Sequence, residues 1–233
     1  MTIKMKNVNK IYKSGEVETL ALKDINLEIQ KGEFIVILGP SGSGKSTMLN
    51  VISGLDTPTS GEIIINDEDI SNYNEEKLTR FRRKHLGFIF QQYNLLQSLN
   101  VEENIEMGAA IGKNPLNSED IIKAVGLQGM EKKYPYQLSG GEQQRVSIAR
   151  SICKNPNILF CDEPTGALDE KTGKQVLEII QNMNEKYKTT TILITHNPSI
   201  AHMADRIIKM NSGRIVEEIK VTSKWKARDI QWA

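Results

Sequence analysis

Apolar and polar positions alternate early in the chain. Leu20, Leu22, Ile25, Leu27 and Ile29 mark half-buried strands, and Lys31-Gly32 marks a turn. Phe34 to Leu38 is instead a continuous apolar run, the pattern of a strand buried on both faces of a parallel sheet. A glycine-rich loop follows at once. Met48, Leu49, Val51 and Ile52 then predict a helix over Ser46 to Ser53, stopped by Gly54. Glu62 to Ile65 reads as another strand, closed by an Asn66-Asp67 turn.

From about Glu75 the period becomes helical, with helices expected over Glu75–His85, Val101–Ala110, Ser118–Val125 and Gly140–Lys154. This block separates the glycine loop from the next core strand, Asn157 to Cys161, and an inserted helical subdomain explains it better than a long structureless loop. Alternation then resumes, with a helix over Asp169–Tyr187, a strand over Thr189–Thr195, a short helix over Pro198–Ala204 and a strand over Arg206–Met210.

Composition narrows the class without naming a chemistry. The chain has 233 residues, 25% charged, with a net charge of +1, so no strong field points to nucleic acid. No apolar run approaches the roughly 18–20 residues needed to span a bilayer. Met1 to Lys10 is polar and lysine-rich, so no secretory signal is expected, and a membrane would be met through a partner. Cys153 and Cys161 offer neither a disulfide framework nor a zinc pattern. Cys161 is expected to be a small core residue in a reduced, cytoplasmic protein.

Two sites carry chemistry in concert. In Gly39-Pro40-Ser41-Gly42-Ser43-Gly44-Lys45-Ser46-Thr47 the glycines let backbone N–H groups converge on an anion, and the following helix aims its positive end at the same place. Lys45 adds a point charge for the β- and γ-phosphates of a nucleotide, and the Ser46 hydroxyl is placed for Mg²⁺. The second site is the apolar strand Ile158–Cys161 ending in Asp162-Glu163, at the strand end where open α/β sheets hold ligands. Asp162 suits Mg²⁺ through its water shell, and Glu163 can polarise a water for attack on the γ-phosphate. Together they predict a P-loop nucleoside triphosphatase.

A third element sits on the helix that Ser139 and Glu142 cap. In Leu138-Ser139-Gly140-Gly141-Glu142-Gln143-Gln144-Arg145 two glycines occupy the first turn, at a cost of roughly 1 kcal/mol each against alanine. What they provide is bare backbone N–H at a helix N-terminus, a second anion site.

This segment resembles the signature sequence of the ATP-binding cassette (ABC) ATPases, and the other cassette motifs follow in family order from about Thr2 to Val216. The resemblance implies that Tyr12 stacks on adenine, that Gln91 contacts Mg²⁺ and the attacking water, and that Glu163 is the catalytic glutamate. It likewise implies that Ala167-Leu168-Asp169 is a dimer-contacting loop and that His196 contacts the γ-phosphate. Mg²⁺ would then be held by Ser46, Gln91 and Asp162. The implied fold is α/β: a P-loop NTPase core with a mainly parallel sheet, an N-terminal antiparallel β subdomain and an inserted α-helical subdomain at about 92–154, all within 1–219. The implied assembly is a head-to-tail homodimer closing over two ATP molecules. Each ATP would lie between the phosphate loop of one chain and Ser139, Gly140, Gly141 and Glu142 of the other.

Within the family, Gly39–Thr47, Phe88–Leu96 and Asp162–Asp169 are similar to the macrolide-export, lipoprotein-release and cell-division branch, whose members pair with membrane permeases of the FtsX type. Gln97 and Asp67 depart from that branch, where proline and a glycine turn are frequent. A periplasmic or extracellular adaptor is a further implied partner. Export of a peptide, drug or lipid-linked substrate competes with a second reading, in which the permease moves nothing and hydrolysis signals to cell-wall enzymes. The tail, Lys220 to Ala233, lies beyond the motifs and holds both tryptophans and four basic residues. A solvated, loosely ordered terminus is expected there, with docking on a partner or membrane surface as the alternative.

Overall fold

β1 (Ile3–Ser14) and β2 (Val17–Ile29) form a long antiparallel hairpin, and β4 (Ser60–Ile65) with β5 (Glu68–Asp69) completes a small sheet in the order β2-β1-β4-β5. The computed structural model describes residues 3–232. Met1 and Thr2, which open the polar N-terminal stretch and the family resemblance, and Ala233 at the end of the tail lie outside the described residues. The turn between β4 and β5 is Asn66-Asp67 with φ of 49° and 66°, the left-handed pair that a two-residue hairpin demands.

The larger sheet contains β3 (Phe34–Leu38), β6 (Leu86–Phe90), β7 (Ile158–Asp162), β8 (Thr190–Thr195), β9 (Arg206–Asn211) and β10 (Arg214–Lys220) in the order β10-β9-β3-β8-β7-β6. All neighbours run parallel except β10, which pairs antiparallel with β9. The central strands alternate between two cores. Ile35, Ile37, Ile158, Phe160, Ile192 and Ile194 face the small sheet and α1 (Lys45–Ile52). Phe34, Val36, Leu159, Cys161 and Leu193 face the helices on the other side. Burial on both faces is why these strands read as unbroken apolar runs.

Those helices are α3 (Val101–Ile111), α4 (Ser118–Ala124), α5 (Gly140–Cys153) and α6 (Glu170–Tyr187), while α2 (Glu75–His85) lies beside β6 on the other core. Asn74, Asn100, Asn117, Ser139 and Asp169 cap α2 to α6 in turn, each accepting a hydrogen bond from a first-turn amide. Cys153 and Cys161 are free and buried, and burial pushes the Cys153 thiol up to about 11.

Several expectations change. Pro198–Met203 winds as a 3-10 rather than an α-helix, and β1, β5 and β10 are strands beyond those predicted. The tail is largely exposed, as expected of a solvated terminus, but it is anchored rather than loose. It lies along α6 of its own chain, with a 3-10 turn at Ala227–Asp229 and with Ala227 and Ile230 buried.

Candidate functional site

The parallel register lines up four strand ends. Leu38 pairs with Thr195, Ile194 with Asp162, and Asp162 with Phe90. The residues that follow, Gly39, His196, Glu163 and Gln91, therefore emerge along one edge of the sheet, where α/β folds bind ligands. The strand order sets their spacing. His196 and Glu163 are one and two strands from the phosphate loop, and Gln91 is three strands away, about 14 Å at the usual strand separation.

The loop after β3 arches around Lys45, whose Nζ donates to the carbonyls of Gly39 (2.7 Å) and Pro40 (2.9 Å). Gly44 opens α1 with φ of 98°, and a Cβ there would meet the Ala21 carbonyl at 2.8 Å, so only glycine allows this entry to the helix. A turn between β9 and β10 clamps the loop from outside. Gly213 N–H donates to the Ser43 carbonyl (3.0 Å), and Lys23 N–H donates to the Gly213 carbonyl (2.8 Å). Ser43 Oγ is buried and has no hydrogen-bond partner among the described residues. An orphaned hydroxyl beneath a ring of amides fits a phosphate oxygen.

Ser41 to Thr47, Asp162, Glu163 and His196 line one open cleft of about 600 Å³, together with Thr19–Ala21, Lys23 and Ser212-Gly213. That volume suits a nucleotide-sized ligand. Asp162 is held above the usual carboxylate range by burial first and by the Glu163 charge second, against a lowering pull from Lys45. A cation at this point would relieve both raising causes. Among the described residues no cluster of three His, Cys, Asp or Glu is gathered to hold a metal alone. The donors present are a hydroxyl (Ser46), a carboxylate (Asp162) and an amide (Gln91), oxygen ligands of the kind Mg²⁺ takes alongside phosphates. Ser46 and Asp162 line the cleft, whereas Gln91 lies beyond it against Gly166.

Glu163 leaves β7 in the left-handed region, with φ of 47°, and its N–H donates to the Ile194 carbonyl of the neighbouring strand (3.0 Å). This backbone twist brings its carboxylate Oε1 to 3.0 Å from His196 Nδ1. Glu163 is largely buried, whereas His196 is 73% exposed and free to meet a ligand.

Tyr12 stands outside the cleft, with its hydroxyl donating to Asp56 Oδ2 (2.9 Å). Lys10 reaches the other oxygen of Asp56 at 2.6 Å and lies over the Tyr12 ring at 4.9 Å. The ring is thus pinned at its edge, and Tyr12 is 41% exposed. Nothing from Leu138 to Arg145 lines the cleft. Ser139 and Glu142 close a capping box there, Ser139 N–H donating to Glu142 Oε2 (2.7 Å) and Glu142 N–H to Ser139 Oγ (3.3 Å). Asp169 caps α6, and its hydrogen bonds from Thr172 hold its carboxyl below the usual range.

Sequence reasoning passed over Gln144. It is fully buried, and its Nε2 donates to the carbonyls of Pro164 (2.8 Å) and Phe90 (3.3 Å). It therefore ties the signature helix to the residues just after Glu163 and just before Gln91. A glutamine inside a predicted amphipathic helix was its only signal. Lys23 and Ser212-Gly213 were missed as well, because they reach the cleft only through the small sheet and the β9–β10 turn.

A sequence profile of the ABC transporter family matches residues 22–166. A putative ABC transporter ATP-binding protein of Mycoplasma pneumoniae is 46% identical over 233 residues, a match covering 99% of this chain and 50% of that protein. The macrolide export ATP-binding/permease protein MacB of Campylobacter fetus is 44% identical over 227 residues, covering 95% of this chain and 35% of MacB. The chain thus spans about half the length of the Mycoplasma relative and a third of MacB. Among solved structures, the ATP-binding cassette MJ0796 of Methanocaldococcus jannaschii, a dimer in a post-hydrolysis state bound to ADP and Pi, superposes with a TM-score of 0.85. That match has 41% identity and covers 95% of this chain and 99% of the other.

Proposed function

The chain belongs to the ABC transporter family, and from that premise we propose that it binds and hydrolyses ATP to drive a membrane permease of the FtsX/MacB type. One observation carries this reading. The phosphate loop, Asp162 and the Glu163–His196 pair share a single cleft along one sheet edge. Backbone amides from Gly42 to Thr47 and the Lys45 ammonium bind the phosphates. Glu163 accepts a proton from the attacking water as it adds in line to the γ-phosphate. The bond from that phosphorus to the β–γ bridging oxygen breaks, and ADP leaves with phosphate released; His196 faces the same phosphate. Ser46 and Asp162 in the cleft, with Gln91 beside it, would hold Mg²⁺, which would supply charge neutralisation for the phosphates.

Two chains act as a head-to-tail pair. The phosphate face of each cleft is open, and the capped N-terminus of α5 with Ser139, Gly140, Gly141 and Glu142 closes the cleft of the partner. The dimeric state of the MJ0796 cassette supports this arrangement. For the permease, a groove of about 320 Å³ between β6 and α3 supports docking. Leu96, Met107 and Ile111 along it are 44%, 46% and 44% exposed, an apolar patch of the kind that marks partner surfaces. The chain works at the inner face of the cell membrane through that partner. Among the described residues no helix is long and apolar enough to cross a membrane itself. The named activity of MacB, macrolide export, supports export of a drug. The reading extends to extraction of a peptide or lipid-linked substrate, with an adaptor beyond the membrane.

The test is hydrolysis of Mg²⁺-ATP by the purified chain, followed by affinity recovery from membranes. Release of phosphate and co-purification of a permease are the expected results. A chain that binds ATP yet releases no phosphate, alone or with its permease, would overturn the proposal.

A further inference from the structure

The tail is tied to α6 along its length. Lys226 meets Glu185 at 3.0 Å. Gln181 donates through Nε2 to the Trp225 carbonyl (3.1 Å) and accepts from the Ala227 N–H through Oε1 (3.1 Å). Trp225 stacks on His202, with ring centroids 4.6 Å apart. The strap thus runs antiparallel to α6, back toward its N-terminus, and ends with Trp232 over Gly173.

That last contact is made to measure. A Cβ on Gly173 would stand 2.3 Å from the indole Cη2 and 2.9 Å from Cζ2, so any larger residue must displace the ring from the notch. Glycine inside a helix costs about 1 kcal/mol against alanine, and here it admits a large ring. The next residue back packs the opposite way. Thr172 Cγ2 would lie 2.1 Å from a Cβ on Gly141, so the signature helix rests on the same turn of α6. Asp169 of the dimer loop caps this turn through the Thr172 N–H (3.1 Å). Trp232 also lines a second cavity, of about 340 Å³, whose wall includes Glu163, Leu168 and His196. The Glu163–His196 pair is therefore the partition between this cavity and the nucleotide cleft.

We propose that Trp232 is a positioning residue for hydrolysis. Its indole, seated in the Gly173 notch, braces the first turn of α6 and so fixes the dimer loop, the signature helix and the Glu163–His196 partition. The inference rests on the ATPase function proposed above.

Steady-state hydrolysis by the full chain tests it, with melting temperature followed alongside. Trp232→Ala is expected to lower kcat about 10-fold, the scale of a small misplacement transmitted to a reacting centre, with KM within about twofold of wild type. Trp232→Phe should restore most of the loss. Gly173→Ala expels the ring and should reproduce the kcat defect in the wild-type background while adding nothing to Trp232→Ala. An unchanged kcat in Trp232→Ala would overturn the proposal, as would a loss from Gly173→Ala that adds fully to it. A wild-type chain that hydrolyses no ATP would overturn the ATPase reading itself, and this inference with it.

Discussion

His196 Nδ1 lies 3.0 Å from Glu163 Oε1, across the ends of two neighbouring strands 33 residues apart in sequence. The contact places the exposed imidazole beside the largely buried carboxylate, the arrangement on which the proposed roles of the two groups rest. Glu163→Gln keeps the shape and removes the proposed base. Its kcat should fall about 10²–10³-fold, the usual effect of losing one preorganised group. ATP binding should survive, and ATP should then hold the variant as a dimer in sedimentation. Near-normal turnover would refute the assignment of the base.

Lys45 braces its loop through the carbonyls of Gly39 and Pro40. Lys45→Ala removes both that brace and the charge facing the phosphates. A charged hydrogen bond is worth about 1.5–3 kcal/mol, so the dissociation constant for ATP should rise about 10- to 100-fold by calorimetry. Undiminished affinity would count against the loop.

Gln144→Leu nearly conserves volume but strips the donor from the Pro164 carbonyl. A buried acceptor left without its partner costs about 1–3 kcal/mol, which urea unfolding would resolve. Because Pro164 follows Glu163, turnover should fall as well. A variant as stable and as active as the wild type would show the tie to be idle.

Lys154 gives the chain a pH dependence remote from the cleft. Its Nζ donates to the carbonyls of Arg82 and Leu86, and burial lowers its pKa from 10.5 to about 8. The folded state therefore holds its proton less tightly than the unfolded state. The resulting penalty is full below about 8 and disappears as pH rises toward 10.5. Stability relative to Lys154→Met should climb across that window, by on the order of 2–3 kcal/mol. A flat difference between pH 7.5 and 10 would exclude a buried ammonium.

What the sequence disclosed depended on how far apart the interacting residues lie. The phosphate loop and β3 were legible because strand, glycines and helix are consecutive. The strand ends bearing Glu163 and His196 were legible because apolar runs stop at charged or polar residues. β1 was harder to see. Its outward lysines and its irregular pairing, with Asn7 at φ of 49°, break the alternation although Ile3, Met5 and Val8 are buried. Trp232 and Lys226 resembled a surface tail because tryptophan and lysine suit surfaces. Only the notch at Gly173, 59 positions earlier, reveals where the ring belongs. Gln144 is a similar case, since its partners are carbonyls that no residue pattern announces.

The left-handed backbone at Glu163 bears on how this protein can change. For a residue with a Cβ that conformation costs roughly 1–2 kcal/mol, and glycine adopts it freely. Glu163→Gly should therefore unfold at a higher temperature than the wild type while hydrolysing nothing. Selection for thermal endurance alone would move this position toward an inert chain. On the catalytic role proposed above, a glutamate at this position trades some of the molecule's own robustness for turnover.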